Sequence, residues 1–108
     1  MQAGFSYTDI TPPLGTEKMG WGVKVFGRRV VDPICARAAV FGQKGVWAGV
    51  LQLDVLSVTR GLVRAIRNAA TALCGIPMEH LLVCATHNHA GPAVSRFWDA
   101  EPDSGYMA

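Results

Sequence analysis

Little in this sequence is charged, and no apolar run in it is long. Lys, Arg, Asp and Glu make up 17% of the 108 residues, ten cations against eight anions, so the net charge is only +2. That surplus is too small to imply an electrostatic footprint on nucleic acid or on an anionic membrane surface. No apolar stretch nears the roughly 18 residues that a membrane span requires. The opening Met1-Gln2-Ala3-Gly4-Phe5-Ser6-Tyr7 lacks both the cationic and the apolar part of an export signal. The expectation is a soluble, cytoplasmic chain with no nucleic acid as partner and no transmembrane segment. Cysteine is scarce too: Cys35, Cys74 and Cys84 are odd in number and nowhere in CxxC spacing, which argues against a disulfide framework and a thiolate zinc cluster. There is no P-loop, no G-x-G-x-x-G after a strand and no G-x-S-x-G turn around Ser95, so nucleotide-cradling and serine-nucleophile sites have no basis.

What is present is hydrophobic side chain, half of all residues, in a length that suits at most one domain. Ala3, Phe5 and Tyr7 alternate with Gly4, Ser6 and Thr8, the period of a half-buried strand. A glycine-dense segment with no sustained period, Gly15 to Asp32-Pro33, reads as a long loop. Ile34 to Phe41 and Val46 to Asp54 are apolar runs on either side of Gly42-Gln43-Lys44-Gly45, a hairpin signal, and the second is apolar on both faces, as a strand covered from two sides would be. Ser57 or Thr59 can cap a helix with apolar positions Leu62, Val63, Ile66, Ala69, Ala70 and Leu73, ending at Gly75-Ile76-Pro77. Arg60, Arg64 and Arg67 read as its solvated face. A buried strand, Leu81 to Thr86, then runs into His87-Asn88-His89.

The fold class expected is α/β: a β-hairpin plus a βαβ unit, forming part of a mixed sheet with helix cover in an incomplete domain. Parallel strands put their carboxyl ends at one edge, where open α/β sheets hold ligands, so Asp54 and His87 should meet there. After Pro92 the pattern fades, and residues 93–108 read as irregular.

The pair His87 and His89 is the one constellation with chemical content. In extended backbone, residues i and i+2 share a face, so both imidazoles can converge on one metal ion or one substrate. A catalytic zinc takes about three protein ligands and an open position. Two histidines are one too few, and the third, His80, lies before the strand and far from its other end. A Cys84–His87 nucleophile pair is disfavoured because i and i+3 point to opposite faces of a strand. The metallo-β-lactamase pattern fails at Gly91 and Pro92, where it needs Asp and His. An amidohydrolase barrel puts its His-x-His after its first strand, and here a hairpin and a βαβ unit come first.

The ordered series Thr8-Asp9-Ile10-Thr11-Pro12-Pro13-Leu14-Gly15, Gly20-Trp21-Gly22, Asp32-Pro33, Ala36-Arg37-Ala38, Asp54, Gly75-Ile76-Pro77 and Ala85-Thr86-His87-Asn88-His89-Ala90-Gly91-Pro92 resembles the N-terminal domain of neutral/alkaline non-lysosomal ceramidases and their bacterial relatives. The resemblance spans residues 4–92. It implies a zinc-dependent amidohydrolase that cleaves an N-acylated lipid such as ceramide to a fatty acid and an amine, with Zn²⁺ as cofactor and a lipid-like amide as substrate. It carries the metal-ligand role onto His87 and assistance at the reacting centre onto His89. Gly20, Trp21 and Gly22 correspond to a loop near the site, and Asp54 to an acidic position with a supporting or structural role. Asn88 and Ala90 stand where Thr and Ser are common in the ceramidases. Members of that family are several times longer, and their other His, Glu and Tyr ligands follow the region matched here. The chain is therefore expected to be the N-terminal part of such a domain, with the remaining portion as its partner and the zinc site incomplete.

Overall fold

The computed structural model describes residues 1–108. The alternating N-terminal run forms β1 (Gln2–Asp9), and the glycine-dense segment carries a small antiparallel ribbon, β2 (Glu17–Lys18) and β3 (Val25–Phe26). The two apolar runs form β4 (Cys35–Gln43) and β5 (Val46–Leu53). Then come α1 (Arg60–Cys74), β6 (Leu81–Ala85) and a single helical turn, α2 (Ser104–Met107). Four strands make a mixed sheet in the order β1-β4-β5-β6, antiparallel at the first two pairings and parallel at the last.

Local chemistry accounts for the joints. Gln43 pairs with Val46, so the hairpin turn is the two residues Lys44-Gly45, both at positive φ (52° and 80°), rather than the four-residue connection the sequence suggests. That backbone twist matches the twist of the strands it joins. Of the two candidate caps it is Thr59 whose hydroxyl accepts the Leu62 N–H, at 3.1 Å. At the other end of α1 the Gly75 N–H returns to the Thr71 carbonyl at 2.8 Å.

Coverage of the sheet differs from expectation. β5 is an interior strand, yet Val46, Trp47 and Ala48 are exposed, and on β1 both Phe5 and Tyr7 are 75% exposed. The reason is that α1 meets the sheet chiefly along β6 and buries none of its own residues, with Leu73 89% exposed. The face carrying Phe5, Tyr7, Ala39 and Val50 is bare. Arg67 also departs from the solvated face expected of it: it is half-buried, and its Nε is shielded without a hydrogen-bond partner. It lies beside Val63 and Thr71 along the helix, one turn to either side, at the border of the apolar stripe.

The buried centre lies elsewhere. Only 17 of 108 residues are buried, and their apolar cluster is Met19, Leu56, Ala93 and Ala100, packed where the glycine-dense segment and the C-terminal stretch cross the end of β5. The radius of gyration, 15.1 Å, exceeds the roughly 13 Å usual for this length. Within residues 93–108, Ala93, Val94 and Ala100 are buried, Asp103 caps α2, and the Tyr106 hydroxyl donates to the Ile10 carbonyl at 2.6 Å. No helix is long and apolar enough to cross a membrane.

Candidate functional site

The parallel ladder between β5 and β6 continues beyond the strands and delivers the histidines. Thr86 N–H donates to Leu53 C=O at 3.0 Å and Asn88 N–H to Val55 C=O at 3.1 Å. Between them His87 sits at φ 62°, in the left-handed region. An L-residue there costs about 1–2 kcal/mol, and such strain gathers at functional sites. The two rings therefore do not converge through extended backbone, as the i, i+2 spacing suggested. They converge through this turn, closed by the Ala90 N–H on Asn88 Oδ1 at 2.7 Å. The ring centroids of His87 and His89 end 5.0 Å apart and nearly perpendicular, at 86°.

Each ring is held by one nitrogen. His87 Nδ1 lies 3.0 Å from the Leu56 carbonyl, and His89 Nδ1 lies 3.0 Å from the Gly20 carbonyl. A carbonyl oxygen only accepts, so in both rings Nδ1 carries the hydrogen and Nε2 keeps its lone pair when the ring is neutral. Metal-binding histidines are oriented by this kind of backbone anchor. Trp21 secures the second ring further: its Nε1–H donates to the His89 carbonyl at 2.8 Å, and its indole stands edge-on to the imidazole at 6.3 Å.

Of the Gly20-Trp21-Gly22 loop, the first two members join the site and the third does not. A Cβ on Gly20 would lie 2.6 Å from His89 Nδ1 and 2.9 Å from Leu56 Cδ1, and φ there is 91°, whereas Gly22 faces open space. His80 stands apart from the pair, its Nδ1 on the Trp47 carbonyl at the opposite end of β6.

Asp54 does reach the common edge, but its carboxylate serves β4 instead of the histidines. The Arg37 guanidinium donates to it at 2.7 Å and the Cys35 N–H at 3.0 Å, while the Asp54 N–H returns to the Cys35 carbonyl at 2.9 Å. Burial raises its pKa, and the Arg37 and Cys35 hydrogen bonds outweigh this, holding the carboxyl below its ordinary value. A depressed carboxyl contributes stability above the unfolded pKa of about 3.9, and that contribution is lost as pH falls through the native value. Asp54→Asn is expected to cost roughly 1–2 kcal/mol at pH 7, modest because the Arg37 head is solvated. Urea midpoints should show the gap to wild type constant from pH 7 to about 5 and shrinking below about 4. A gap unchanged at pH 3 would remove the ionised carboxylate from the account.

The sequence did not reveal the carbonyls of Leu56 and Gly20 as the anchors, because a backbone oxygen carries no residue signature. No group of three His, Cys, Asp or Glu side chains stands close enough to share a metal ion. Two anchored imidazoles are of a type zinc accepts but fall short of the three or four donors a zinc site takes. No protein-family model matches the chain, and no curated protein or solved structure matches it.

Proposed function

We propose that residues 1–108 carry the imidazole part of a zinc amidohydrolase centre of the neutral ceramidase type, acting on the amide bond of an N-acylated lipid such as ceramide. The observation that supports this is the pair of adjacent rings, each tied through Nδ1 to a carbonyl with Nε2 left for a ligand. Zinc, when bound, polarises an amide carbonyl and makes water a nucleophile at neutral pH. His87 would hold the metal through Nε2, with the Leu56 carbonyl fixing tautomer and ring plane. His89, steadied by Gly20 and Trp21, would assist at the reacting centre through Nε2, which in the neutral ring accepts a hydrogen bond or a proton from the attacking water. In this reading the remaining donors lie outside residues 1–108, and the sheet belongs to a larger domain. The bare face around Phe5 and Tyr7 is in keeping with that. The lack of a third donor favours a second reading, an α/β binding module without a working centre.

Zinc titration against a chromogenic chelator separates the two. The chain is expected to bind zinc weakly, with His87→Ala lowering the affinity at least tenfold, since loss of an orienting partner alone costs about 10–100-fold. An affinity unaltered in that variant overturns the metal reading. The chain alone is expected to show no turnover, and ceramide hydrolysis by it would overturn the requirement for outside donors.

A further inference from the structure

A cavity of about 720 Å³ borders the loop that holds the histidines, with Asn88 and Ala90 in its wall. Ligand pockets usually fall between about 300 and 1,000 Å³. Its lining carries four cations, Lys18, Lys24, Arg28 and Arg29, against one carboxylate, Asp32. In a chain whose net charge is only +2, that concentration is local. The cations are also largely unspent. The ion pairs within 4 Å are Lys24–Glu17, at a long 3.7 Å, Arg37–Asp54 and Arg96–Glu101, so Lys18, Arg28 and Arg29 have no acidic partner. Lys18 instead stands 5.6 Å over the Trp21 ring.

Beside these charges the same wall exposes large apolar side chains: Leu14 (62%), Phe26, Val30 and Val31 (75%). The backbone around them is tied down. Gly15 N–H donates to Gly27 C=O at 2.8 Å, Gly27 N–H to Thr16 C=O at 3.0 Å, and Ile34 N–H to Thr11 Oγ1 at 2.9 Å. The ends of the glycine-dense segment are thus fixed against each other before any ligand arrives, which lowers the ordering cost of binding.

We propose that this cavity binds a single-chain alkyl phosphate monoester, the hydrocarbon lying on Leu14, Phe26, Val30 and Val31 and the phosphate held by Arg28, Arg29 and the lysines. Charge selects the head group. A phosphate monoester carries nearly two negative charges at pH 7 and three acceptor oxygens, which suits a surplus of three cations better than a carboxylate does. Arginine pairs with phosphate through two parallel N–H bonds. The proposal stands whether or not His87 holds a metal, because none of the lining residues is a histidine.

Isothermal titration with dodecyl phosphate, below its micelle concentration, tests it. Saturable binding is expected, about tenfold weaker in an Arg28→Gln, Arg29→Gln double variant, the loss of one charge-assisted pair or more. Both side chains are exposed, so the variant should melt as wild type does. Arg64→Gln, exposed on α1 and outside the cavity, should leave affinity unaltered. Dodecanoate should bind more weakly, and dodecyl maltoside and inorganic phosphate more weakly still. The proposal is overturned if dodecyl phosphate fails to bind, if the neutral detergent or inorganic phosphate binds as tightly, if Arg64→Gln weakens binding as much as the double variant, or if a single-stranded oligonucleotide binds more tightly than the amphiphile.

Discussion

Met19→Ala should destabilise the chain by about 2–5 kcal/mol, the range for emptying a fully buried long side chain. Met19 is 0% exposed and packs with Leu56, Ala93 and Ala100, the one buried apolar cluster. Its backbone N–H reaches the Gly91 carbonyl at 3.4 Å, and the Ala93 N–H reaches the Glu17 carbonyl at 3.0 Å, so the same spot stitches the glycine-dense segment to the chain beyond the histidines. Small domains hold only a few kcal/mol in total. Met19→Ala should therefore unfold a large share of molecules at 25 °C, read by circular dichroism and urea titration. Leu73→Ala is the control. Leu73 has the helical spacing of a core residue but is 89% exposed, and its truncation should change stability by less than about 0.5 kcal/mol. Equal losses in the two variants would place the core between α1 and the sheet after all.

Gly20→Ala should act on stability and on the histidine pair together. The new methyl meets His89 Nδ1 at 2.6 Å, Cε1 at 2.8 Å and Leu56 Cδ1 at 2.9 Å, so the ring must leave the Gly20 carbonyl that orients it. The backbone at φ 91° penalises any L side chain besides. Steric and conformational terms sum to about 3 kcal/mol. The His89 imidazole resonance should shift as the ring leaves that contact, while zinc affinity, which rests on His87 and its Leu56 anchor, should change far less than in His87→Ala. Gly22→Ala, which meets nothing, should do neither. A Gly20→Ala protein with an unshifted His89 imidazole resonance would show that the Gly20 carbonyl does not set the ring.

Much of the architecture was legible because strands and helices leave periodic signatures. The alternation over residues 3–8, the two apolar runs about the glycine-bounded Gly42–Gly45 connection, and a Ser57 or Thr59 cap with a terminal glycine each encode local geometry, and the structure narrowed the turn to Lys44-Gly45 and the cap to Thr59. Burial was not legible in the same way. Ala3, Phe5 and Tyr7 carry the pattern of a strand with a covered face, and α1 carries an apolar stripe, yet what covers a face is decided by elements far away in the chain. The cations of the cavity were visible only as scattered residues in a loop. Lys18 and Arg29 came to line one cavity when β2 paired with β3 and folded that loop back on itself.

The site divides along the same line. By itself the sequence determined that two imidazoles follow a strand parallel to β5 and that a Gly-Trp-Gly loop and an acid after β5 accompany them, because residue type and strand order are one-dimensional information; the expected burial of that strand did not hold throughout, since β6 lies at the sheet edge with Leu82 exposed. Tertiary structure alone decided how they are used. The left-handed turn at His87 brought the rings together, the Gly20 and Leu56 carbonyls chose their tautomers, and Arg37 claimed Asp54 for the sheet. Those outcomes depend on hydrogen bonds to backbone oxygens and on contacts across 17 to 69 residues of chain. Every residue has the same carbonyl, so only the fold can select which one a side chain meets.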